Sequence, residues 1–384
     1  MKGLLITLSL FLMSLSRLGC SEGHSEFDPY SSEERDLFVW EDGEVVEEYD
    51  FYDTEDPMLV QNEDNLEITQ MASAKSVSNG CLYRYRPRVD KHGWYARGEY
   101  LLWKAEEGEL DYILTNAQPY GFTGATGKLK EAGFDWASGL RVAAGVVFSP
   151  DYWTLEGQYT WIKPTGEDSA HASSSNLLQG TYNQSNSSPI QSAHSRIILS
   201  YQLGELILAK RFQFSNQILC RFHSGLIGAW IEQDWNIYYK DSNPPGHIHQ
   251  KWQFQGGGLQ VGIMGDWFFG RGVSMLVQAR GALLYGAYDN HLHNTSGSNL
   301  VEGPKYHDHR VASTLQIILG PSWGRVYRYW GVNISVGYEL NVWFNLQQVL
   351  RSFDKTGAPN GRDSRHSNAN VALQGVTTRL QLDF

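Results

Sequence analysis

The sequence predicts an all-β protein: a transmembrane, antiparallel up-and-down β-barrel of about ten strands, preceded by an acidic N-terminal arm. Three observations lead there. Apolar residues recur at every second position in segment after segment, the period of a strand with one apolar and one polar face. The connections between these segments alternate between long and short. Beyond the first 20 residues no run of 18 apolar residues exists, so a membrane crossing would have to be made by strands. Composition agrees: 41% hydrophobic and 19% charged residues, with 13 Trp, 21 Tyr and 39 Gly in 384 residues.

The chain begins MKGLLITLSLFLMSLSRLGC, a single Lys followed by an apolar stretch from Leu4 to Leu15. This reads as a secretory signal peptide over residues 1–20, too short for a spanning helix. Cys20 follows Leu18-Gly19 as in a lipoprotein cleavage site, but Arg17 stands where such sites want an aliphatic residue. Residues 21–80 read as a flexible periplasmic arm. Within it, residues 21–70 hold 18 Asp or Glu and one basic residue, Arg35, for a charge of −17. Such a charge run stays extended by self-repulsion. The residues beyond 70 carry 28 basic and 24 acidic side chains, so the net charge of −11 belongs to the arm and not to the body. No basic patch points to nucleic acid. Cys81 and Cys220 allow one disulfide but no disulfide framework.

Residues 81–384 read as the barrel. In GWYARGEYLLWK, Trp94, Ala96, Tyr100 and Leu102 share one face, and Arg97 and Glu99 the other. In WASGLRVAAGVVF, Trp136, Leu140, Val142, Val146 and Phe148 oppose Arg141; in WTLEGQYTWI, Trp153, Leu155, Tyr159 and Trp161 oppose Glu156 and Gln158. Leu259, Val261, Ile263 and Trp267 oppose Gln260 and Asp266, and Val273, Met275, Val277 and Leu283 oppose Gln278 and Arg280. VASTLQIIL carries Val311, Leu315, Ile317 and Leu319 on one face. WGVNISVGYELNVWF sets eight apolar positions, Trp330 to Phe344, against Asn333, Ser335, Glu339 and Asn341. TTRLQLDF ends the chain with Leu380, Leu382 and Phe384 opposite Arg379, Gln381 and Asp383. The segments near 195–211 and 216–240 have strand spacing but ambiguous parity.

Ten strands result, at about 94–110, 127–148, 151–163, 194–211, 216–240, 251–268, 272–289, 307–320, 328–348 and 368–384. Long polar loops fall at 111–126, 164–193, 241–250, 290–306 and 349–367, and short turns between the other pairs. Short turns at one end, long loops at the other and an even strand count are the layout of a bacterial outer-membrane barrel. Large aromatics at both ends of the apolar faces, such as Trp153 with Trp161, match the two aromatic girdles of such barrels. A soluble sandwich has no reason to place them there. The terminal Phe384 then reads as the signal taken up by the barrel-assembly machinery.

With the apolar parity toward lipid, the other parity faces the interior: Arg97, Glu99, Arg141, Glu156, Asp266, Arg280, Glu339 and Arg379. Arg or Lys at the lipid midplane costs about 2–4 kcal/mol, which turns Glu205 and Arg221 inward as well. These ten residues are the candidate pore lining. Both signs are present, so they can line an aqueous channel or pair and close it.

RGEYLLWKAEEGELDY, the FDWASGLRVAAGVVFSPDYWTLEGQYTWI block, and SYQLGELILAKRF running through FHSGLIGAWIEQDW resemble the pore-forming major outer-membrane protein family of Legionella and the environmental relatives of chlamydiae. The resemblance covers residues 93–384. It implies an integral barrel that admits small solutes, with outer-membrane lipid, assembly machinery and a homo-oligomer as expected partners. The expected function is passive diffusion of ions and small solutes, with no enzyme activity and no cofactor. Ten strands lie near the size at which side chains fill a barrel, so a channel would be narrow.

Three other readings compete. Asp289, His291 and His293 could serve a hydrolase at the barrel rim, yet no nucleophile motif accompanies them. Three His-x-His pairs, His247/His249, His291/His293 and His307/His309, have side chains pointing one way in an extended chain, as a metal site requires; loop composition produces the same spacing. These pairs are expected in or beside two neighbouring outer loops. A closed-lumen structural or adhesive barrel shares every sequence feature with a porin except conductance. The acidic arm could also plug the lumen through its arginines.

Overall fold

The computed structural model describes residues 93–117, 127–148, 153–173, 177–182, 190–215, 217–240, 244–327, 330–354 and 362–384. The strands among them are β1 (Gly93–Glu107), β2 (Asp111–Ala117), β3 (Lys128–Glu131), β4 (Trp136–Phe148), β5 (Trp153–Ile162), β6 (Thr165–His171), β7 (Leu177–Gly180), β8 (Ser192–Gln213), β9 (Ile218–Lys240), β10 (Gly246–Gly270), β11 (Val273–Ser296), β12 (Asn299–Glu302), β13 (Lys305–Val326), β14 (Gly331–Asp354) and β15 (Arg362–Asp383). The signal peptide, Cys20, the acidic arm and Cys81 lie outside the described residues.

Ten of these strands close a ring in the order β1-β4-β5-β8-β9-β10-β11-β13-β14-β15, every pair antiparallel. Closure is made by the first and last strands, in register from Tyr95 opposite Asp383 to Glu107 opposite Val371. The Phe384 amide donates to the Trp94 carbonyl at 2.8 Å. The ring strands coincide with the ten alternating segments of the sequence. The two-residue turn between β10 and β11 has positive φ at Arg271 (54°) and Gly272 (81°), the backbone of a type I′ hairpin. A Cβ on Gly272 would sit 2.3 Å from the Gly324 carbonyl oxygen, so this turn requires glycine there.

The loop end departs from expectation. Segments expected as polar loops carry four of the five short strands, β2, β6, β7 and β12, and β10, β11, β13, β14 and β15 run on into three of the long loops. β6 continues the path of β5 after Pro164, which has no N–H to give; the Pro164 carbonyl instead accepts from Leu199 N at 2.9 Å. β2, β3 and β7 form a separate small sheet in the order β3-β2-β7. Residues 128–131 therefore pair with β2 and not with the barrel wall, as the single strand 127–148 had implied. β6 and β12 pair with the loop-side ends of β8 and β11, and β2, β3 and β7 with one another, all beyond the span where lipid imposes alternation.

Outward-facing apolar side chains surround the ring, among them Leu140, Leu206, Leu226, Leu259, Leu283, Val311 and Leu380, all exposed. Exposed aromatics bound this belt: Trp94, Phe148, Trp153, Phe212, Phe269 and Trp330 toward the turns, and Tyr100, Trp136, Trp161, Trp230, Tyr285 and Tyr338 toward the loops. Trp153 to Trp161 is roughly 26 Å along the strand, or ~20 Å along the barrel axis at a tilt near 40°. That is close to the ~25 Å height of the apolar band of an outer-membrane barrel. Beyond the loop-side girdle the outer face becomes polar. Glu232 pairs with Lys251 at 2.5 Å, Asp234 with His249 at 3.2 Å and Asp289 with His307 at 2.6 Å.

Candidate functional site

The interior divides into three levels. Ten strands spaced ~4.8 Å apart and tilted near 40° place the backbone roughly 10 Å from the axis. An Arg and a Glu three strands apart can therefore meet across the lumen.

The middle level, between the girdles, is a layer of ion pairs. Register alone makes part of it. Glu99 lies directly opposite both Arg141 of β4 and Arg379 of β15, and its carboxylate accepts from Arg141 at 2.7 Å and Arg379 at 2.8 Å and forms an ion pair with Arg97 at 2.9 Å. Two pairs then cross the lumen: Arg141 to Glu339 of β14 at 2.7 Å, and Arg280 of β11 to Glu205 of β8 at 2.5 Å. Glutamines join them. Arg97 donates to Gln158 at 2.7 Å, Gln158 donates to Glu205, Arg280 donates to Gln316, and Gln316 donates to Glu339. The result is a closed circuit: Arg97, Glu99, Arg141, Glu339, Gln316, Arg280, Glu205, Gln158 and back to Arg97. Glu156 sits at its edge, held by Arg97 at 2.7 and 3.0 Å and by the Tyr95 hydroxyl.

The sequence-derived interior residues all lie on inward positions. Arg97, Glu99, Arg141, Glu156, Glu205, Arg280, Glu339 and Arg379 are buried in the circuit or bonded to it. Arg221 stands at its turn-side margin, 3.9 Å from Glu156. Asp266 lines a recess on the same side.

The loop-side half of the lumen is apolar, which the sequence reading missed. Leu101, Trp103, Tyr201, Trp235, Trp252, Phe254 and Trp343 point inward and are buried. Each buried indole N–H has an acceptor: Trp103 to Thr377 at 3.1 Å, Trp235 to Ser195 at 2.8 Å, Trp343 to Tyr201 at 3.1 Å, and Trp252 to Gln233. The Trp343–Tyr201 bond joins β14 to β8, on opposite sides of the ring. This layer explains the ambiguous parity near 195–211 and 216–240, where both faces of β8 and β9 are apolar.

Above it the small sheet closes the loop end. Tyr112, Ile113, Leu178 and Tyr182 are buried in the same apolar cluster as Trp103 and Trp235. Arg351 of β14 clasps Asp111, with one contact at 2.9 Å; Tyr239 donates to the Tyr112 carbonyl at 2.6 Å, and Tyr182 to Gln250 at 2.9 Å.

Four of the six paired histidines correct the sequence reading: His247, His249, His291 and His293, expected in the loops 241–250 and 290–306, are on strands, as are His307 and His309, which the expected strand 307–320 already held; all six lie along the outer wall of β10, β11 and β13. The strands of the barrel wall simply run further than the polar composition suggested. His247 stands opposite Tyr238 and Thr295, His249 opposite His293, and His291 opposite Lys251 and Lys305. His307 stands opposite Asp289, and His309 opposite Ala287. The His309 ring meets the His307 ring edge-on, with centroids 5.2 Å apart, and stacks beside Tyr285 at 6.1 Å. Register thus gives these histidines aromatic, cationic or single carboxylate neighbours instead of a shared centre. Among the described residues no three His, Cys, Asp or Glu side chains are grouped to hold a metal ion. Asp289, His291 and His293 point outward, with Asp289 engaged by His307.

The family model described as Legionella pneumophila major outer membrane protein precursor matches residues 86–384. No curated protein matches the chain. Among solved structures, the outer membrane protease OmpT of Escherichia coli matches at TM-score 0.43 and 10% identity, over 79% of this chain and 99% of that one. The toluene transporter TodX of Pseudomonas putida matches at TM-score 0.27 and 10% identity, over 80% and 92%.

Proposed function

The chain belongs to the Legionella major outer membrane protein family, over residues 86–384, and on that premise we propose that this outer-membrane barrel is a narrow, gated pore for ions and small solutes. The carrying observation is the charged layer. A buried ion pair is often no more stabilising than apolar side chains of the same volume. The loop-side half of this same barrel is filled with apolar side chains, so stability alone does not call for eight charged groups between the girdles. A hydrated, charge-lined constriction does. In this reading the described arrangement is the closed state, and conduction parts the Arg280–Glu205 and Arg141–Glu339 bridges and displaces the small sheet.

By the usual orientation of such barrels the turn end faces the periplasm and the capped end faces outward. The N-terminal segment 21–80 is accordingly proposed to be periplasmic. Outer-membrane lipid, the barrel-assembly machinery and further copies of the chain are its proposed partners. Liposome swelling tests the proposal: proteoliposomes of the refolded chain should swell in small permeant solutes and resist large ones, and swelling equal to empty liposomes would contradict it. A closed-lumen structural or adhesive barrel is the second reading, favoured by the apolar layer and the Arg351–Asp111 clasp.

A further inference from the structure

At the turn end a recess of about 70 Å³ opens below the ion-pair layer, lined by Arg211, Arg221, Arg379, Asp266, Ser274 and Asn333 among others. Arg211 and Arg221 lie directly opposite each other on β8 and β9. Two like charges in direct cross-strand register repel, and among the described residues neither has a full partner. Among the described residues the Arg211 guanidinium makes no hydrogen bond or ion pair. Arg221 reaches Glu156 only at 3.9 Å, and that carboxylate is already held by Arg97 and Tyr95. Arg221 Nε is buried without an acceptor. Asp266 is the one carboxylate in this lining, against three guanidinium groups.

We propose that this recess binds a single phosphate-type oxyanion, held between Arg211 and Arg221 with Arg379 at its third side. Planar guanidinium forks suit tetrahedral oxyanions. The recess has room for more than one water, and its single cluster of three guanidinium groups suits one such ion. Asp266 supplies the discrimination. An ionised carboxylate only accepts hydrogen bonds, so it favours an oxyanion that still carries a proton. Phosphate does near neutral pH and sulfate does not. Binding here does not depend on conduction, so its failure and the failure of the pore reading are separately visible.

The test is calorimetric titration of the refolded full chain, in a detergent free of phosphate, with inorganic phosphate and then with sulfate. The expected result is saturable binding of one phosphate per chain, with sulfate at least tenfold weaker. Arg211→Gln should weaken phosphate binding at least tenfold, with folding confirmed by heat-modifiable gel mobility. Arg211→Lys, which keeps the charge and loses the fork, should also weaken it and serves if the Gln variant does not fold. No saturable phosphate binding, or full binding by the folded Arg211 variants, overturns the site. Equal affinity for sulfate overturns the role of Asp266.

Discussion

Glu99→Gln is the most informative single change in the barrel. Its side chain is fully buried, and three guanidinium groups share its carboxylate at 2.7–2.9 Å. After substitution Arg97 keeps Glu156 and Gln158, and Arg141 keeps Glu339. Arg379 keeps only Gln278, at 3.5 Å. The loss therefore concentrates on one buried cation. Orphaning such a charge costs about 3–5 kcal/mol. With a urea dependence of ~1–3 kcal/mol per M, the unfolding midpoint should fall by at least about 1 M, read by heat-modifiable gel mobility. The double variant Glu99→Gln/Arg379→Met removes the orphan and should recover much of the loss, a coupling of about 1–3 kcal/mol. In conducting barrels Glu99→Gln alone leaves the layer one positive charge in excess and should shift ion preference toward anions. A stability loss under about 1 kcal/mol, with no recovery in the double variant, would refute the view of Glu99 as the hub of the layer.

Three further outcomes are expected. Arg351→Ala removes the clasp on Asp111 and should speed proteolysis within residues 108–135 while leaving the barrel's heat-modifiable mobility intact. His247 lies beyond the loop-side girdle, stacked on Tyr238. Burial first, then His249 and His293, hold its pKa below the ordinary value near 6.5. The unfolded chain thus takes the proton first, so its contribution is unchanged above pH 6.5 and native stability declines as pH falls below it. Unfolding at pH 5.0 against 7.5 should show a smaller difference in His247→Gln than in the parent. Deleting Phe384 removes an exposed terminal aromatic and the amide bonded to Trp94; the yield of heat-modifiable protein in the outer-membrane fraction should drop severalfold.

The barrel was legible because lipid imposes one rule on every crossing segment: apolar side chains at alternate positions, with no backbone edge left open. Trp153 to Trp161 and Trp330 to Phe344 carry that pattern in full, and strand number followed from it. The inward direction of Glu205 and Arg221 followed from the cost of charge in lipid. Which charges pair was not legible. Glu99 meets Arg141 and Arg379 because of register, and Arg280 meets Glu205 because the ring has ten strands. Register is not written in the local pattern, and strand number alone does not say which side chains meet across the lumen. Trp103, Tyr201, Trp235 and Trp343 received no reading because apolarity was used only to mark the lipid side, whereas the loop-side interior is apolar too. Their neighbours supply the one signal that could have found them: both parities of β8 and β9 are apolar over the same stretch. Arg211 was missed for a related reason, since its importance lies in standing opposite Arg221.

Single-channel recording of the refolded full chain in a planar bilayer tests the central claim most directly. The account predicts discrete, small conductance steps from a barrel that is mostly closed, with Arg280→Gln/Glu205→Gln raising the open fraction by removing a bridge across the lumen. A correctly folded barrel that gives no steps, in the parent and in that double variant alike, would contradict the pore and leave a closed structural barrel in its place.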